Sequence, residues 1–212
     1  MSYWFYVPVA LIGYLIGCSN MALYISRLKG IDLQKAGSGN LGASNAMMIM
    51  GWKAGVAVGI HDIGKGIVAV LLARYFCGEL PLIGAVAGVA CVLGHIFPFY
   101  LRFKGGKGLA AYLGMTVALN WRLAIIVGLL IVLITLITDY IALGTVTTVI
   151  VVPAYLGASQ HSVLLLAVLM IATAVILFKH RDNYRRILAG TEMGLRRANR
   201  GDFRQKGNKN DR

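Results

Sequence analysis

Residues 52–76 read WKAGVAVGIHDIGKGIVAVLLARYF. The stretch is long enough to cross a bilayer as a helix, which takes about 20 apolar residues. Its middle is not apolar: His61, Asp62 and Lys65 fall there, with Gly64 and Gly66 beside the lysine. Ionisable groups at membrane depth are costly, and they face a polar interior or mark a working site. Asp62 and Lys65 stand three apart, so a helix puts them on one face where they can neutralise one another. A structural ion pair is one reading of that spacing, and a place in the lining of a site is the other.

The rest of the chain supports the membrane reading. It has 212 residues, 58% of them hydrophobic and only 14% charged, and its mean hydropathy is +0.72. That is more apolar sequence than a soluble core needs. The pattern predicts an all-α, polytopic integral membrane protein with seven transmembrane helices, near residues 3–24, 52–76, 82–93, 109–119, 123–137, 141–156 and 163–178. The fourth is short for a full crossing, so a tilt or a locally thinned bilayer is expected there. The expected organisation is one membrane domain over 1–192, then a basic, disordered tail over 193–212.

Net charge is +13, and residues 179–212 hold eleven Lys/Arg against four Asp/Glu. A basic tail after a last span reads as a cytoplasmic anchor on anionic lipid heads. Nucleic-acid binding is excluded as the main reading because the remainder is lipid-embedded. The connectors after spans one and three are also basic, with Arg27, Lys29 and Lys35 in one and Arg102, Lys104 and Lys107 in the other. The even-numbered connectors are nearly free of charge. The N-terminus is therefore expected outside and the C-terminus in the cytoplasm. No charged n-region precedes the first apolar run, so that run is expected to be kept as a span. Cys18, Cys77 and Cys91 show no metal-ligand spacing and read as small core residues.

Three polar stretches interrupt the apolar pattern on the expected cytoplasmic side. Residues 94–111, GHIFPFYLRFKGGKGLAA, set Lys104 and Lys107 around Gly105 and Gly106, with Gly108 before a helix start. Free backbone N–H groups in a Gly-rich turn, next to a lysine and a helix N-terminus, suit a phosphate; a plain basic loop has the same composition. Residues 37–45, GSGNLGASN, offer hydroxyls, amides and N–H groups to phosphate or polyol oxygens, or serve as a flexible connector. Residues 180–192, HRDNYRRILAGTE, put His180, Asn183 and Arg186 on one stripe if helical, and a basic helix on the membrane surface would look alike.

These four motifs, DIGKG at 62–66 included, resemble those of the bacterial acyl-phosphate:glycerol-3-phosphate acyltransferases in order, spacing and placement over nearly the whole chain. The resemblance implies transfer of a fatty acyl group from acyl phosphate to the 1-hydroxyl of sn-glycerol 3-phosphate, giving lysophosphatidic acid and phosphate in bacterial phospholipid synthesis. It implies no cofactor and no metal, a bacterial cytoplasmic membrane, and substrates and membrane lipids as partners; no oligomeric state follows from it. No His is followed by Asp at the fifth position, so the His-x4-Asp signature of other acyltransferases is absent.

Carried onto this sequence, the resemblance makes Ser38, Lys107, His180 and Asn183 catalytic. Gly37, Ser38, Gly39, Gly42, Lys107 and the glycines 105, 106 and 108 would cradle the acyl-phosphate phosphoryl group. Asn40, Asn45, His180 and Asn183 would position glycerol 3-phosphate, and Lys65, Lys104 and Arg186 would add positive potential. Asp62 and Glu192 would hold cations, Thr145 would add a hydrogen bond, and His95 would line the site or tie its loop to a helix. The substrate phosphate itself is the expected proton acceptor in such enzymes. Two departures stand out: Met48 where the family carries Arg, and Asp139-Tyr140-Ile141-Ala142 where it often carries Arg-Tyr-Val-Ser. A changed acceptor is the alternative they raise. A small transporter of anionic metabolites is the alternative from another class.

Overall fold

The computed structural model describes residues 3–78, 80–194 and 196. No strand occurs among them. The protein is an all-helical integral membrane protein, and its first surprise lies in the first span. A continuous helix over 3–24 is expected, but α1 (Tyr6–Cys18) stops and α2 (Met21–Leu28) starts anew. Asn20 takes extended dihedrals and its Oδ1 accepts the Leu23 N–H at 2.9 Å. Ser and Asn favour this role because their side chains replace helical backbone partners.

The connector that follows carries a short helix of its own, α3 (Ala43–Met50), which runs through Gly51 into α4 (Trp52–Cys77). Gly51 sits at φ 91°, which a side chain would strain. Then come α5 (Ile83–Ile96), a 3-10 turn at Phe99–Leu101, and α6 (Leu109–Leu119). Finally α7 (Trp121–Thr138), α8 (Ile141–Ser159) and α9 (Val163–Leu188) run up and down with tight turns between them.

Six helical segments have the length and apolar character of a crossing. The seventh expected span, α6, has 11 residues and so rises only ~16 Å, about half a hydrocarbon core. A single residue, Asn120, joins it to α7, and its side chain caps α7 by accepting the Leu123 N–H at 3.0 Å. α7 rises ~27 Å over its 18 residues. In length alone, α6 is ~10 Å shorter than α7.

Close helix packing depends on missing side chains. A Cβ on Gly13 or Gly17 of α1 would run into the carbonyls of Ala87 and Cys91 in α5, and one on Gly94 would meet Tyr14 O. Gly66 of α4 and Gly114 of α6 do the same for that pair. Small residues four apart let helices approach where apolar burial gives no gain over lipid. The largest core cluster joins α4 to α9 around Tyr112, Met115, Leu156, Leu169 and Ile176, all fully buried. Leu129, Leu133 and Leu136 of α7 stay exposed, as a lipid-facing helix requires.

Contacts between connectors sort them onto two faces. The Gln34 side chain donates to Lys104 O, Lys107 to Asn183, and Arg196 N–H to Asp139, all at one end of the bundle. The Tyr6 hydroxyl donates to Pro81 O at the other. The expected disordered tail, 193–212, falls outside the described residues except for Met193, Gly194 and Arg196.

Candidate active site

Lys107 stands at the centre of the basic face. Its Nζ donates to Asn183 Oδ1 at 2.6 Å. Asn183 is buried, and its Nδ2 donates to Glu192 Oε1 at 2.5 Å. The other Glu192 oxygen receives Arg186 Nε at 2.6 Å. Glu192 can reach back because the chain turns at Gly190 (φ 66°) and both Thr191 and Glu192 N–H bond to Arg186 O. A carboxylate thus orients an amide and a guanidinium, and the amide orients the lysine. Burial pushes the Lys107 ammonium below the ordinary lysine value, with the Glu192 carboxylate opposing that shift.

Lys107 lies directly before α6. Among the described residues, the N–H groups of Lys107, Gly108, Leu109, Ala110 and Ala111 have no hydrogen-bond acceptor in the chain. They form the open N-terminus of a helix beside an ammonium, the arrangement that binds a phosphate. One turn before Asn183 sits His180, buried, with Nδ1 2.9 Å from Ile176 O. A carbonyl can only accept, so Nδ1 carries the proton and the neutral ring keeps a bare Nε2 lone pair.

The glycines of the turn do a different job from the one composition suggests. Gly105 N–H bonds Ile96 O at 3.0 Å and Gly106 N–H bonds His95 O at 3.1 Å. A Cβ on Gly106 would land on the His95 ring, and one on Gly105 on His95 O. Their N–H groups are therefore engaged within the chain, whereas those after Gly106 are not. Gly108, at φ 99° between Ile96 and Ile176, is the residue whose conformation starts α6.

The 37–45 stretch is a shaped loop. Asn45 is buried; its Oδ1 accepts Ser38 N–H at 2.9 Å and its Nδ2 donates to Ala36 O and Leu33 O. Asn45 is thus a clamp on the loop, where contact with the acceptor substrate was expected. Gly37 and Gly39 take φ 59° and 69°, and Gly42 leaves room for the Asn40 amide. Ser38 is exposed and its hydroxyl has no partner among the described residues.

Lys65 also differs from expectation. Its Nζ meets Asp62 Oδ1 at 2.9 Å, His95 Nδ1 at 2.8 Å and Ser19 O at 2.8 Å. All three ammonium hydrogens have protein partners, and Lys65, Asp62 and His95 are at least 95% buried. Lys65 and His95 therefore belong to a buried tie beneath the site, and Asp62 holds a cation as expected. Thr145 lies fully buried on α8, with its hydroxyl on Ile141 O one turn back, and joins none of the loop hydrogen bonds. Lys104 is exposed, and it joins the loops through its backbone: its carbonyl accepts from Gln34.

The three polar stretches meet on one face, as expected. Two supports went unrecognised in the sequence: Gln34, which joins two loops, and the Ser19–Asn20 break. A Ser-Asn pair within an apolar run is a cap signal that could have exposed the break.

Comparison with known proteins agrees with this geometry. The model of the glycerol-3-phosphate acyltransferase family matches residues 7–190. The glycerol-3-phosphate acyltransferase of Thermoanaerobacter sp. (strain X514) is 35% identical over 190 residues, covering 89% of this chain and 95% of the relative. That of Geotalea daltonii is 37% identical over 192 residues, covering 89% and 97%. A crystal structure of PlsY, an integral membrane glycerol 3-phosphate acyltransferase in its glycerol 3-phosphate form, superposes with a TM-score of 0.83 at 34% identity, covering 90% of this chain and 95% of the other. Its lysophosphatidic acid form gives 0.81 at 33%, covering 89% and 94%. A family match across the membrane domain, together with a shared fold, shows that this chain belongs to the glycerol-3-phosphate acyltransferase family.

Proposed function

We propose that this enzyme moves a fatty acyl group from acyl phosphate to the 1-hydroxyl of glycerol 3-phosphate at the inner face of the bacterial cytoplasmic membrane, releasing lysophosphatidic acid and phosphate. The observation that carries the reading is Lys107 beside the open α6 N-terminus and tied through Asn183 to the Glu192–Arg186 pair. One anion fits the α6 N-terminus; the exposed Arg186 guanidinium and the exposed Ser38 hydroxyl are the groups left for a second.

Acyl phosphate is already an activated mixed anhydride, so the protein's task is placement and charge stabilisation. The 1-hydroxyl oxygen attacks the acyl carbonyl carbon, the carbon–oxygen bond to phosphate breaks, and the departing phosphate takes the proton. Lys107 and the α6 N–H groups stabilise the charge on the leaving phosphate. The bare Nε2 of His180 accepts from a hydroxyl of glycerol 3-phosphate and holds it in place. Arg186 attracts its phosphate, and Ser38 contributes a hydroxyl from the facing loop. A helix N-terminus next to lipid-facing helices suits a donor whose phosphate is polar while its chain lies among lipid tails.

Positive connectors on the loop-bearing face support the N-out, C-in orientation. The membrane domain then ends near Glu192. Met48 and Ala142 leave a different polyol phosphate as the second reading for the acceptor.

Purified protein given palmitoyl phosphate and glycerol 3-phosphate should release phosphate only when both are present, and not with acyl-CoA as donor. Lys107→Ala should cut the release about 100- to 1,000-fold. Turnover with acyl-CoA, or uptake of glycerol 3-phosphate into proteoliposomes without turnover, would sink the assignment.

A further inference from the structure

The break in the first span sits where both Gly-rich loops are anchored. An uninterrupted helix would bond Cys18 O and Ser19 O to the N–H groups of Ala22 and Leu23. Here α1 ends, Leu23 N–H turns to Asn20 Oδ1, and the two carbonyls are freed inside the bundle. At membrane depth a freed carbonyl must find a partner within the protein. Cys18 O receives the Tyr100 hydroxyl at 2.7 Å, from the 3-10 turn leading to the Lys104–Gly108 loop. Ser19 O receives Lys65 Nζ at 2.8 Å, and the same ammonium meets His95, whose ring seats Gly106. The Ser19 hydroxyl pairs with His61 Nε2 at 2.9 Å. Next to it, buried Asn20 donates Nδ2 to Leu41 O, in the Gly37–Asn45 loop, at 3.3 Å.

We infer that the Cys18–Ser19–Asn20 break is a positioning hub, with Asn20 setting the loop that carries Ser38, and Tyr100 and Lys65 setting the turn that carries Lys107. Asn20, Tyr100 and Lys65 do not touch substrate. They act by fixing the distance between two loops that grip different parts of the reactants, and rate depends steeply on that distance. The catalytic half of this inference rests on the proposed reaction; the anchoring half does not.

Two small deletions test it. Asn20→Ser keeps a capping oxygen for α2 but removes the donor to Leu41 O. Tyr100→Phe removes only the hydroxyl on Cys18 O. In native-state hydrogen exchange, Asn20→Ser should speed exchange at residues 33–45 and leave 97–108 unchanged, and Tyr100→Phe should do the converse. Each should lower kcat/KM for phosphate release about tenfold per folded molecule, with melting temperature little changed. Asn20→Gln, which retains an amide donor, should recover part of the loss. Unchanged exchange in both loops overturns the hub whatever the activity. Altered exchange with full activity per folded molecule overturns the positioning role. A wild-type protein inactive with acyl phosphate would count against the proposed reaction alone, since the exchange result still decides the anchoring.

Discussion

Lys107 concentrates the electrostatics of the site, and two measurements follow from its surroundings. Replacing it by Ala removes the ammonium from the place proposed for the leaving phosphate and should lower kcat/KM about 100- to 1,000-fold, the scale of losing one preorganised charge donor. The residue must be protonated to act, and burial lowers its pKa. Activity should therefore fall as pH rises through a limb that begins below the ordinary lysine value of about 10.4. Lys107→Arg, charged throughout, should lose that limb while keeping a fraction of the rate. An unshifted limb in the arginine variant would show that another group sets it. Glu192 makes a second prediction at this scale, since its two oxygens face Asn183 Nδ2 and Arg186 Nε. Gln offers only one acceptor and turns an N–H toward a donor. Glu192→Gln should therefore raise KM for glycerol 3-phosphate about tenfold, within the range for a charge-assisted hydrogen bond, which initial-rate kinetics at saturating acyl phosphate would measure.

Among the helices, glycine has two opposite meanings. Gly17 of α1 is in contact with the Cys91 carbonyl of α5, whereas Gly128 of α7 has open space where a Cβ would go. Gly17→Ala should force the helices apart and destabilise by about 1–3 kcal/mol. Gly128→Ala should stabilise by roughly 0.5–1 kcal/mol, because it lowers backbone freedom without a clash. Thermal unfolding in detergent should move in opposite directions for the two, and a drop for both would show that α7 packs more tightly than its exposure indicates. The same ambiguity limits what sequence reveals about the site. Gly105 and Gly106 read as a phosphate cradle because composition cannot tell a free N–H from one bonded to Ile96 or His95. Asn45 read as a ligand contact for the same reason: an amide that closes a loop and one that binds substrate look alike until the loop is folded. By contrast the Asp62–Lys65 pair was legible, since spacing on a helix fixes which groups share a face.

For the molecule as a whole, the membrane class and the convergence of three polar stretches were legible, because bilayer thickness and charge bias act on long segments. The role of α6 could be read only in part: its shortness shows in the sequence, but the free N–H groups at its start appear only once the loop before it is folded. Orientation is the remaining large-scale claim, and it rests on where the cations fall. The loop-bearing face carries Lys29, Lys35, Lys104, Lys107, Arg181 and Arg185, while the opposite face has Arg74 and Arg122 near its turns. With Cys18, Cys77 and Cys91 replaced by Ala, single cysteines at exposed Lys35 and Gln160 make the two faces distinguishable. A membrane-impermeant maleimide applied to intact cells should label Gln160→Cys and spare Lys35→Cys, and inverted membrane vesicles should reverse the result. Labelling of Lys35→Cys from outside would put the loops proposed to bind phosphate on the wrong side of the membrane for a cytoplasmic glycerol 3-phosphate, and the reaction proposed for the site would then lack access to its acceptor.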